Sequence, residues 1–229
     1  MENIQRGYLP AAGKKWTLPL YDPLVKLLGV EGVRTTFLDQ AALHTAHRVL
    51  DIGCGTGTLA LLIKRLHPDV EVVGLDPDPD ALARAKRKAE SAQVSIHFDQ
   101  GFADGLPYLD ASFDRVFSSF MFHHVWADQR KKTLKEVSRV LTPGGSLHLV
   151  DFVRPEEWSA GWWDGLLRSN PQLKDNSESQ ILALMRQVGF RNPKKVADGS
   201  IVFRLLRIAY YKASEATSSG QESFQARFR

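Results

Sequence analysis

The sequence is short of cysteine and of long apolar runs, and each shortage excludes a class of protein. Cys54 is the only cysteine among 229 residues. No internal disulfide can form, and without a CxxC pair or a Cys/His cluster we expect no metal. No run reaches the roughly 18–20 apolar residues of a membrane span, and the first residues lack the apolar core of a secretion signal. We therefore expect a cytoplasmic protein with no membrane span.

The chain also has only a small excess of positive over negative charge. Lys and Arg exceed Asp and Glu by 30 to 26, which gives a formal net charge of +4. Along the predicted helix around 81–90, basic residues alternate with small apolar residues and end at Glu90. That arrangement is typical of a solvated helix face. We therefore expect no nucleic-acid partner, and a monomer and a homodimer are equally compatible with the sequence.

From position 48 onward, short β-branched runs alternate with helical patterns, which predicts an α/β fold with a mostly parallel sheet and helices on both faces. We divide the chain into a helical cap over 1–47, one domain over 48–213, and a polar tail over 214–229. The predicted strands are Arg48–Ile52, Val70–Leu75, Val94–Phe98, Phe113–Ser119 and Ser146–Phe152, with an antiparallel pair within Val196–Lys212. The predicted helices are Thr58–Leu66, Asp78–Ala92, Asp128–Leu141 and Ser177–Val188.

A glycine-rich loop joins the first predicted strand to the first helix. Gly53, Gly55 and Gly57 permit backbone angles closed to other residues and would let a ligand approach the backbone. A dinucleotide loop needs its third glycine one position later, where this chain has Thr58, so the spacing argues against a nicotinamide cofactor. A tight turn with no ligand is the alternative.

Two acidic residues accompany this loop. Asp51 ends the first strand, and Asp76 ends the second, a little over twenty residues beyond Gly53. A carboxylate at the position of Asp76 can accept hydrogen bonds from both ribose hydroxyls of an adenosyl ligand. Asp51 can orient the loop and face an ammonium group. Both aspartates could instead cap the turn, but the combination of strand, loop, helix and acid favours a cofactor site.

Four segments of the chain carry a family pattern: Val49–Gly57, Gly74–Asp76, Leu106–Asp114 and Glu136–Gly145. These segments resemble the class I S-adenosylmethionine-dependent methyltransferases, and within them the small-molecule group that includes the ubiquinone/menaquinone methyltransferases. The resemblance implies a Rossmann-like seven-stranded sheet of order 3-2-1-4-5-7-6 with strand 7 antiparallel. It also implies S-adenosyl-L-methionine as cofactor and S-adenosyl-L-homocysteine as by-product.

The same resemblance assigns the cofactor contacts. Asp51, Gly53 and Gly55 would hold the methionine part, Asp76 the ribose, and Pro77 would pack beside the adenine. Many relatives have Gly-Asp-Ala after the third strand, where this chain has Gly101-Phe102-Ala103. The adenine contact would then move to the Ala103 backbone and Asp104, or Phe102 would stack on the ring. The implied cofactor site also includes Cys54 in the loop and Ser118 at the end of the fourth strand.

The loop after the fourth strand carries paired histidines. Methyl transfer mainly requires that the nucleophile be held against the methyl group, and a base helps when the nucleophile must lose a proton. We predict His124 as that base or as an orienting group, with packing under the next helix as an equal alternative. We interpret His123 as a framework residue and Asp151 as a helix or loop cap, with an acid or base as the alternative for Asp151, and we place both in the substrate pocket.

Aromatic residues before the first predicted strand and after the fifth could line the substrate pocket. Three tryptophans follow the fifth strand, and Trp162 is the one we place in the pocket, as part of an aromatic lid. A role in fixing an inserted helix to the sheet is commoner for such residues. Tyr8, Trp16 and Tyr21 in the predicted cap carry the same two interpretations.

The sequence therefore predicts an enzyme that transfers a methyl group to a small molecule by in-line displacement. It has no Asn/Asp-Pro-Pro-aromatic motif for amino-group methylation of bases, no cysteine placed for cytosine C5 chemistry, and no acidic pair for a catalytic metal. A catalytically inactive cofactor-binding partner subunit, and an RNA or protein methyltransferase, remain as alternatives.

Overall fold

A seven-stranded sheet in the order β3-β2-β1-β4-β5-β7-β6 forms the centre of the molecule. A computed structural model describes residues 30–153, 176–201 and 206–215. The strands are β1 (Arg48–Ile52), β2 (Glu71–Asp76), β3 (His97–Gln100), β4 (Phe113–Ser119), β5 (Leu141–Phe152), β6 (Arg191–Ile201) and β7 (Leu206–Ser214). Strands β1 to β5 pair in parallel, and β7 is antiparallel to both β5 and β6. The predicted fold class and strand order are confirmed.

Helices cover both faces of the sheet. They are α1 (Val30–Asp39), α2 (Thr58–Leu66), α3 (Pro79–Ser91), α4 (Ala127–Val140) and α5 (Glu178–Val188), with 3-10 turns at Leu43–Thr45 and Phe122–His124. Successive strand residues point to opposite faces, so Val49 packs in one core with α1 to α3, and Leu50 in a second core with α4 and α5. Within the described ranges, no helix combines the length and apolar character that crossing a bilayer requires.

The described part of the N-terminal segment, residues 30–47, packs onto the sheet. Phe37 is buried and meets Phe117 of β4 edge to face, with ring centroids 5.2 Å apart. The Arg115 guanidinium donates a 2.7 Å hydrogen bond to the Ala41 carbonyl. This segment therefore shares the hydrophobic core of the domain.

The third strand differs from its sequence prediction at both ends. It begins at His97 instead of Val94, because residues 93 and 94 end helix α3. Gln93 has a φ of +55°, its N–H donates to the Glu90 carbonyl, and the Val94 N–H donates to the Ala89 carbonyl. These two bonds form a Schellman motif, so Val94 caps the helix although its side chain is typical of a strand.

Strand β5 begins at Leu141 and not at the predicted Ser146. Its register against β4 shifts between the pairs Phe113 with Leu141 and Arg115 with Ser146, so residues 142–145 bulge out of the ladder. Strands β6 and β7 run from Arg191 to Ile201 and from Leu206 to Ser214, beyond both limits of the predicted pair. Pro193 is tolerated there because β6 is an edge strand.

Candidate active site

The glycine loop is bound to the end of strand β2. The N–H groups of Gly53 and Cys54 both donate to the Leu75 carbonyl, at 2.7 and 3.0 Å. Gly53, Gly55 and Gly57 all have positive φ, at 67°, 53° and 72°. These angles disfavour residues with a side chain, so the loop conformation itself requires glycine.

Only one of the three glycines faces open space. A Cβ atom on Gly53 would lie 2.1 Å from Met121 Cγ, and one on Gly57 would lie 2.8 Å from the Cβ of Ala85. A Cβ on Gly55 would have no heavy atom within 4 Å. Close approach of a ligand to the backbone is therefore possible at Gly55, whereas the other two glycines accommodate packing within the protein.

Asp51 carries a carboxylate that is buried at the end of β1. The residue is 1% exposed, and among the described residues neither carboxylate oxygen accepts a hydrogen bond of good geometry, although the Ala60 N–H is close enough to lower the pKa of Asp51. Burial, and to a smaller degree the nearby Asp76 carboxylate, raises the pKa of Asp51 to about 7, while Arg34 opposes the rise. A buried acceptor without a donor is costly, and a cationic ligand would compensate for it.

Asp76 connects the loop to the end of β2. Its carboxylate accepts hydrogen bonds from the Gly55 N–H at 2.8 Å and the Asp78 N–H at 2.9 Å. Burial raises the pKa of Asp76 to about 6, although both N–H groups lower it. Each oxygen accepts one of these bonds, and a carboxylate has about four acceptor positions, so capacity remains for ligand hydroxyls.

The residues predicted to contact the adenine follow β2 and β3. The Pro77 carbonyl accepts a 3.1 Å hydrogen bond from the Gln100 amide, and Phe102 and Ala103 are half-buried just beyond β3. Asp104 is buried and lies 3.5 Å from Lys132. The loop that follows β3 lies beside Asp76, because the Gly101 N–H donates a hydrogen bond to the Asp76 carbonyl.

Two further predicted cofactor residues are buried. Ser118 is 1% exposed at the end of β4, opposite Ile52, and its hydroxyl lacks a partner among the described residues. Burial raises the pKa of the Cys54 thiol well above its usual value, and the charges of Asp51 and Asp76 raise it further. Cys54 therefore remains a thiol and acts as a packing residue rather than as a nucleophile.

His123, in the 3-10 turn after β4, forms a buried pair with Asp151, near the end of β5. The His123 Nδ1 lies 2.5 Å from Asp151 Oδ1, and the His123 backbone N–H donates to Oδ2 at 2.8 Å. Asp151 also accepts a bond from the Phe152 N–H at 2.7 Å. The Asp151 carboxylate thus caps the chain by accepting hydrogen bonds from two backbone N–H groups. Its contact with the His123 ring was not predicted.

His124 lies against this pair. Its ring centroid is 4.0 Å from that of His123, and its Nδ1 is buried with no partner in the described ranges. Burial lowers the pKa of His124 to about 4, with a further decrease from His123 and an opposing effect of Asp151. The ring is therefore neutral at pH 7, and no carboxylate of the described residues is hydrogen-bonded to its Nδ1.

The loop that carries the histidines also contacts the glycine loop, which the sequence did not reveal. Phe120 has a φ of +53°, rare for a residue of its size, and its N–H donates to the Val150 carbonyl at 2.9 Å. The next residue, Met121, occupies the space beside Gly53. No sequence pattern signals this contact, because it depends on a turn with an unusual backbone angle.

Known proteins resemble this chain over most of its length. A family model described as a methyltransferase domain matches residues 49–145. A demethylmenaquinone methyltransferase of Deinococcus radiodurans is 45% identical over 140 residues, which are 60% of this chain and 57% of that protein. An uncharacterized methyltransferase of Synechocystis is 34% identical over 195 residues, 81% of this chain and 88% of that protein.

The chain belongs to the class I S-adenosylmethionine-dependent methyltransferases. A solved structure supports the same fold. It is a Haemonchus contortus phosphoethanolamine N-methyltransferase in complex with phosphomonomethylethanolamine and S-adenosylhomocysteine. It has a TM-score of 0.79 at 16% identity and covers 90% of this chain and 58% of that one. The methyltransferase described here spans little more than half the length of the Deinococcus relative.

The other segments that carry the family resemblance bind one another in this methyltransferase. Arg139 of α4 donates to the carbonyls of Leu106 and Tyr108, at 3.0 and 2.8 Å, and forms an ion pair with Glu136 at 2.7 Å. Glu136 in turn accepts a 2.9 Å bond from the Leu106 N–H. These hydrogen bonds attach the loop that precedes β4 to helix α4. The residues that form them have a structural role and do not belong to the cofactor loop.

Some predicted site residues of the methyltransferase lie outside the described residues. These are Tyr8, Trp16, Tyr21 and Trp162, and the proposed aromatic lid stays a prediction. Over the described ranges, no group of three or more His, Cys, Asp or Glu side chains is placed to hold a metal ion.

Proposed function

We propose that this chain binds S-adenosylmethionine at the glycine loop and transfers its methyl group to a small-molecule acceptor. The observation that carries the proposal is the buried Asp51 carboxylate, which has no hydrogen-bond partner among the described residues. A carboxylate buried in this way is expected at a site for a cation, because a positive charge would stabilise it.

The residues of the loop fit this cofactor. Asp51 would neutralise the ammonium group of the methionine part, and the open space beside Gly55 would admit that part to the backbone. Asp76 would accept hydrogen bonds from the ribose hydroxyls with the capacity that its two backbone donors leave free. Pro77, Phe102 and Ala103 follow β2 and β3, where the adenine would lie.

The cofactor supplies an electrophilic methyl group on a sulfonium. The contribution of the chain is to hold the acceptor in line with that group and to exclude water. Phe120 and Phe152 pack with ring centroids 5.1 Å apart beside the ends of β4 and β5, and they form an apolar wall there. Ser118, buried at the end of β4, would lie near the methionine part of the ligand.

A small apolar acceptor is favoured over RNA or protein. The relative from Deinococcus radiodurans is named for demethylmenaquinone, and the identity to it is 45% over 140 residues. The apolar wall formed by Phe120 and Phe152 suits such an acceptor. We therefore propose a quinone-like or phenolic small molecule as the first acceptor to test.

The experiment has two stages. Calorimetric titration of the purified full chain with S-adenosylhomocysteine tests the cofactor site. Transfer of a labelled methyl group from S-adenosylmethionine is then measured on a panel of phenols, a reduced prenylated naphthoquinone, amines and thiols. Binding with transfer to at least one member is expected. Binding without any transfer would indicate a cofactor-binding partner subunit, and absence of binding would contradict the whole proposal.

A further inference from the structure

His123 has the features of a base that the neighbouring His124 lacks. Both Asp151 oxygens are engaged, one by the His123 backbone N–H and the other by the ring and the Phe152 N–H. His123 is 4% exposed and Asp151 is fully buried. An ionised carboxylate can only accept hydrogen bonds, so the proton in the ring contact belongs to Nδ1.

A ring that donates from Nδ1 presents Nε2 as an unprotonated acceptor. The carboxylate fixes the tautomer and stabilises the imidazolium that would form when Nε2 takes a proton. His124 has no such carboxylate, and its Nδ1 is buried without a partner among the described residues. These contacts favour His123 over His124 as the candidate base.

The position of the pair relative to the cofactor loop supports a role in the reaction. β4 and β5 are adjacent parallel strands, so residues beyond their carboxyl ends share one edge of the sheet with Asp51. Met121, two residues before His123, packs against Gly53 of the loop. The residue that immediately precedes the 3-10 turn of His123 is thus in direct contact with the cofactor loop.

We propose that His123, oriented by Asp151, takes the hydroxyl proton of an acceptor of the phenol, hydroquinone or enol class. This inference rests on the proposed methyl-transfer function. The O–H bond breaks and its proton moves to Nε2, while the acceptor oxygen or its conjugated carbon bonds to the methyl carbon. The C–S bond breaks and its electron pair returns to sulfur, which leaves a neutral thioether. Asp151 is the positioning residue.

Few other charged groups surround the ring. Among the described residues, Asp151 approaches from β5 and His124 from the same 3-10 turn. Arg130 of α4 donates to the Val125 carbonyl and lies over the Phe122 ring, 5.3 Å from its centroid. Asp151 is therefore the described carboxylate that contacts the His123 ring.

The test compares His123→Gln with His124→Gln at saturating cofactor, using the panel members that the wild type methylates. His97→Gln is the matched surface control, because the His97 side chain is 69% exposed at the start of β3. His123→Gln should lower kcat by about 10²- to 10⁴-fold, the usual contribution of a general base. Its affinity for S-adenosylhomocysteine should stay at the wild-type value.

The pH profile separates this role from a structural one. Wild-type turnover should fall on the acidic side of the profile, as general-base catalysis requires. That decline should persist in His124→Gln and His97→Gln and disappear in His123→Gln. Asp151→Asn should lower kcat while cofactor affinity is retained. A wild-type pH profile in His123→Gln, or transfer to amines and thiols alone, would overturn the inference.

A measurement without any acceptor keeps the inference testable by itself. In ¹⁵N-histidine-labelled protein, the His123 ring should carry its proton on Nδ1 at neutral pH, and Asp151→Asn should abolish this preference. A ring protonated on Nε2 would overturn the proposed base, whatever the acceptor. Failure of the wild type to bind S-adenosylhomocysteine would contradict the methyl-transfer function instead, so the two failures are distinguishable.

Discussion

Replacement of Asp51 by asparagine should make the unliganded protein more stable and the cofactor site weaker. Burial and the Asp76 charge raise the pKa of Asp51 from 3.8 to about 7. Each tenfold change in proton affinity corresponds to about 1.4 kcal/mol, so the ionised carboxylate costs the folded state about 4 kcal/mol above pH 7. Asparagine has nearly the same shape and no charge, and it should recover most of this free energy.

The sign of the pH dependence follows from the raised pKa. The folded state holds the Asp51 proton more tightly than the unfolded state, so this contribution favours folding at low pH and is lost as the pH rises from about 4 to 7. The gain in stability of Asp51→Asn over wild type should therefore be largest at pH 8 and vanish near pH 4.

Urea denaturation at several pH values measures this difference directly. Asp69→Asn is a matched control, because Asp69 is an exposed residue in the turn before β2. The Asp51→Asn variant should also bind S-adenosylhomocysteine more weakly, as the ammonium group loses its counter-charge. A variant less stable than wild type at pH 8, or one with unchanged affinity, would refute the reasoning.

Three further predictions concern the loop and its support. Asp76→Ala should weaken S-adenosylhomocysteine binding about ten- to hundredfold in calorimetry while the fold is retained, since hydrogen bonds to charged groups contribute about 1.5–3 kcal/mol. Gly53→Ala should destabilise the fold by about 2–4 kcal/mol in urea denaturation, because the new Cβ would overlap Met121 and the φ of Gly53 is positive. Gly55→Ala should mainly reduce cofactor affinity, because its Cβ would meet no other atom. Equal losses of stability in the two variants would contradict this difference. Arg139→Leu should lower the free energy of unfolding by about 1–3 kcal/mol with cofactor affinity unchanged, because two loop carbonyls lose their donor.

The sheet was predictable because its signals are local. Strand β1, helix α2 and strand β4 have the predicted bounds. The order of the strands in the sheet, in contrast, was implied by the family resemblance. The glycine spacing and the acid at the end of β2 likewise lie within one continuous stretch. Their proximity needs no knowledge of distant contacts, and the structure brings Asp76 to within 2.8 Å of the Gly55 nitrogen.

The pairing of His123 with Asp151 was not predictable in this way. The two residues are separated by 28 positions, and the contact depends on the register of β4 against β5 and on the turn at Phe120. The sequence therefore indicated the loop that carries the paired histidines, but it did not indicate that the Asp151 carboxylate contacts the His123 ring. The burial that lowers the pKa of His124 likewise comes from tertiary packing.

The boundaries that differed from prediction have related causes. Val94 has the side chain of a strand residue, but its backbone N–H caps α3. Residues 142–145 were expected to form a loop, but they bulge from β5 while the strand continues on both sides. In both cases backbone hydrogen bonds decide the structure, and side-chain patterns do not report them.

The most direct test of the central claim is calorimetric titration of the full chain with S-adenosylmethionine, with NADH as the competing ligand. A glycine loop with an unpaired carboxylate predicts saturable binding of S-adenosylmethionine that Asp51→Asn weakens and that NADH does not displace. Binding of NADH in its place, or no uptake of S-adenosylmethionine, would contradict the account.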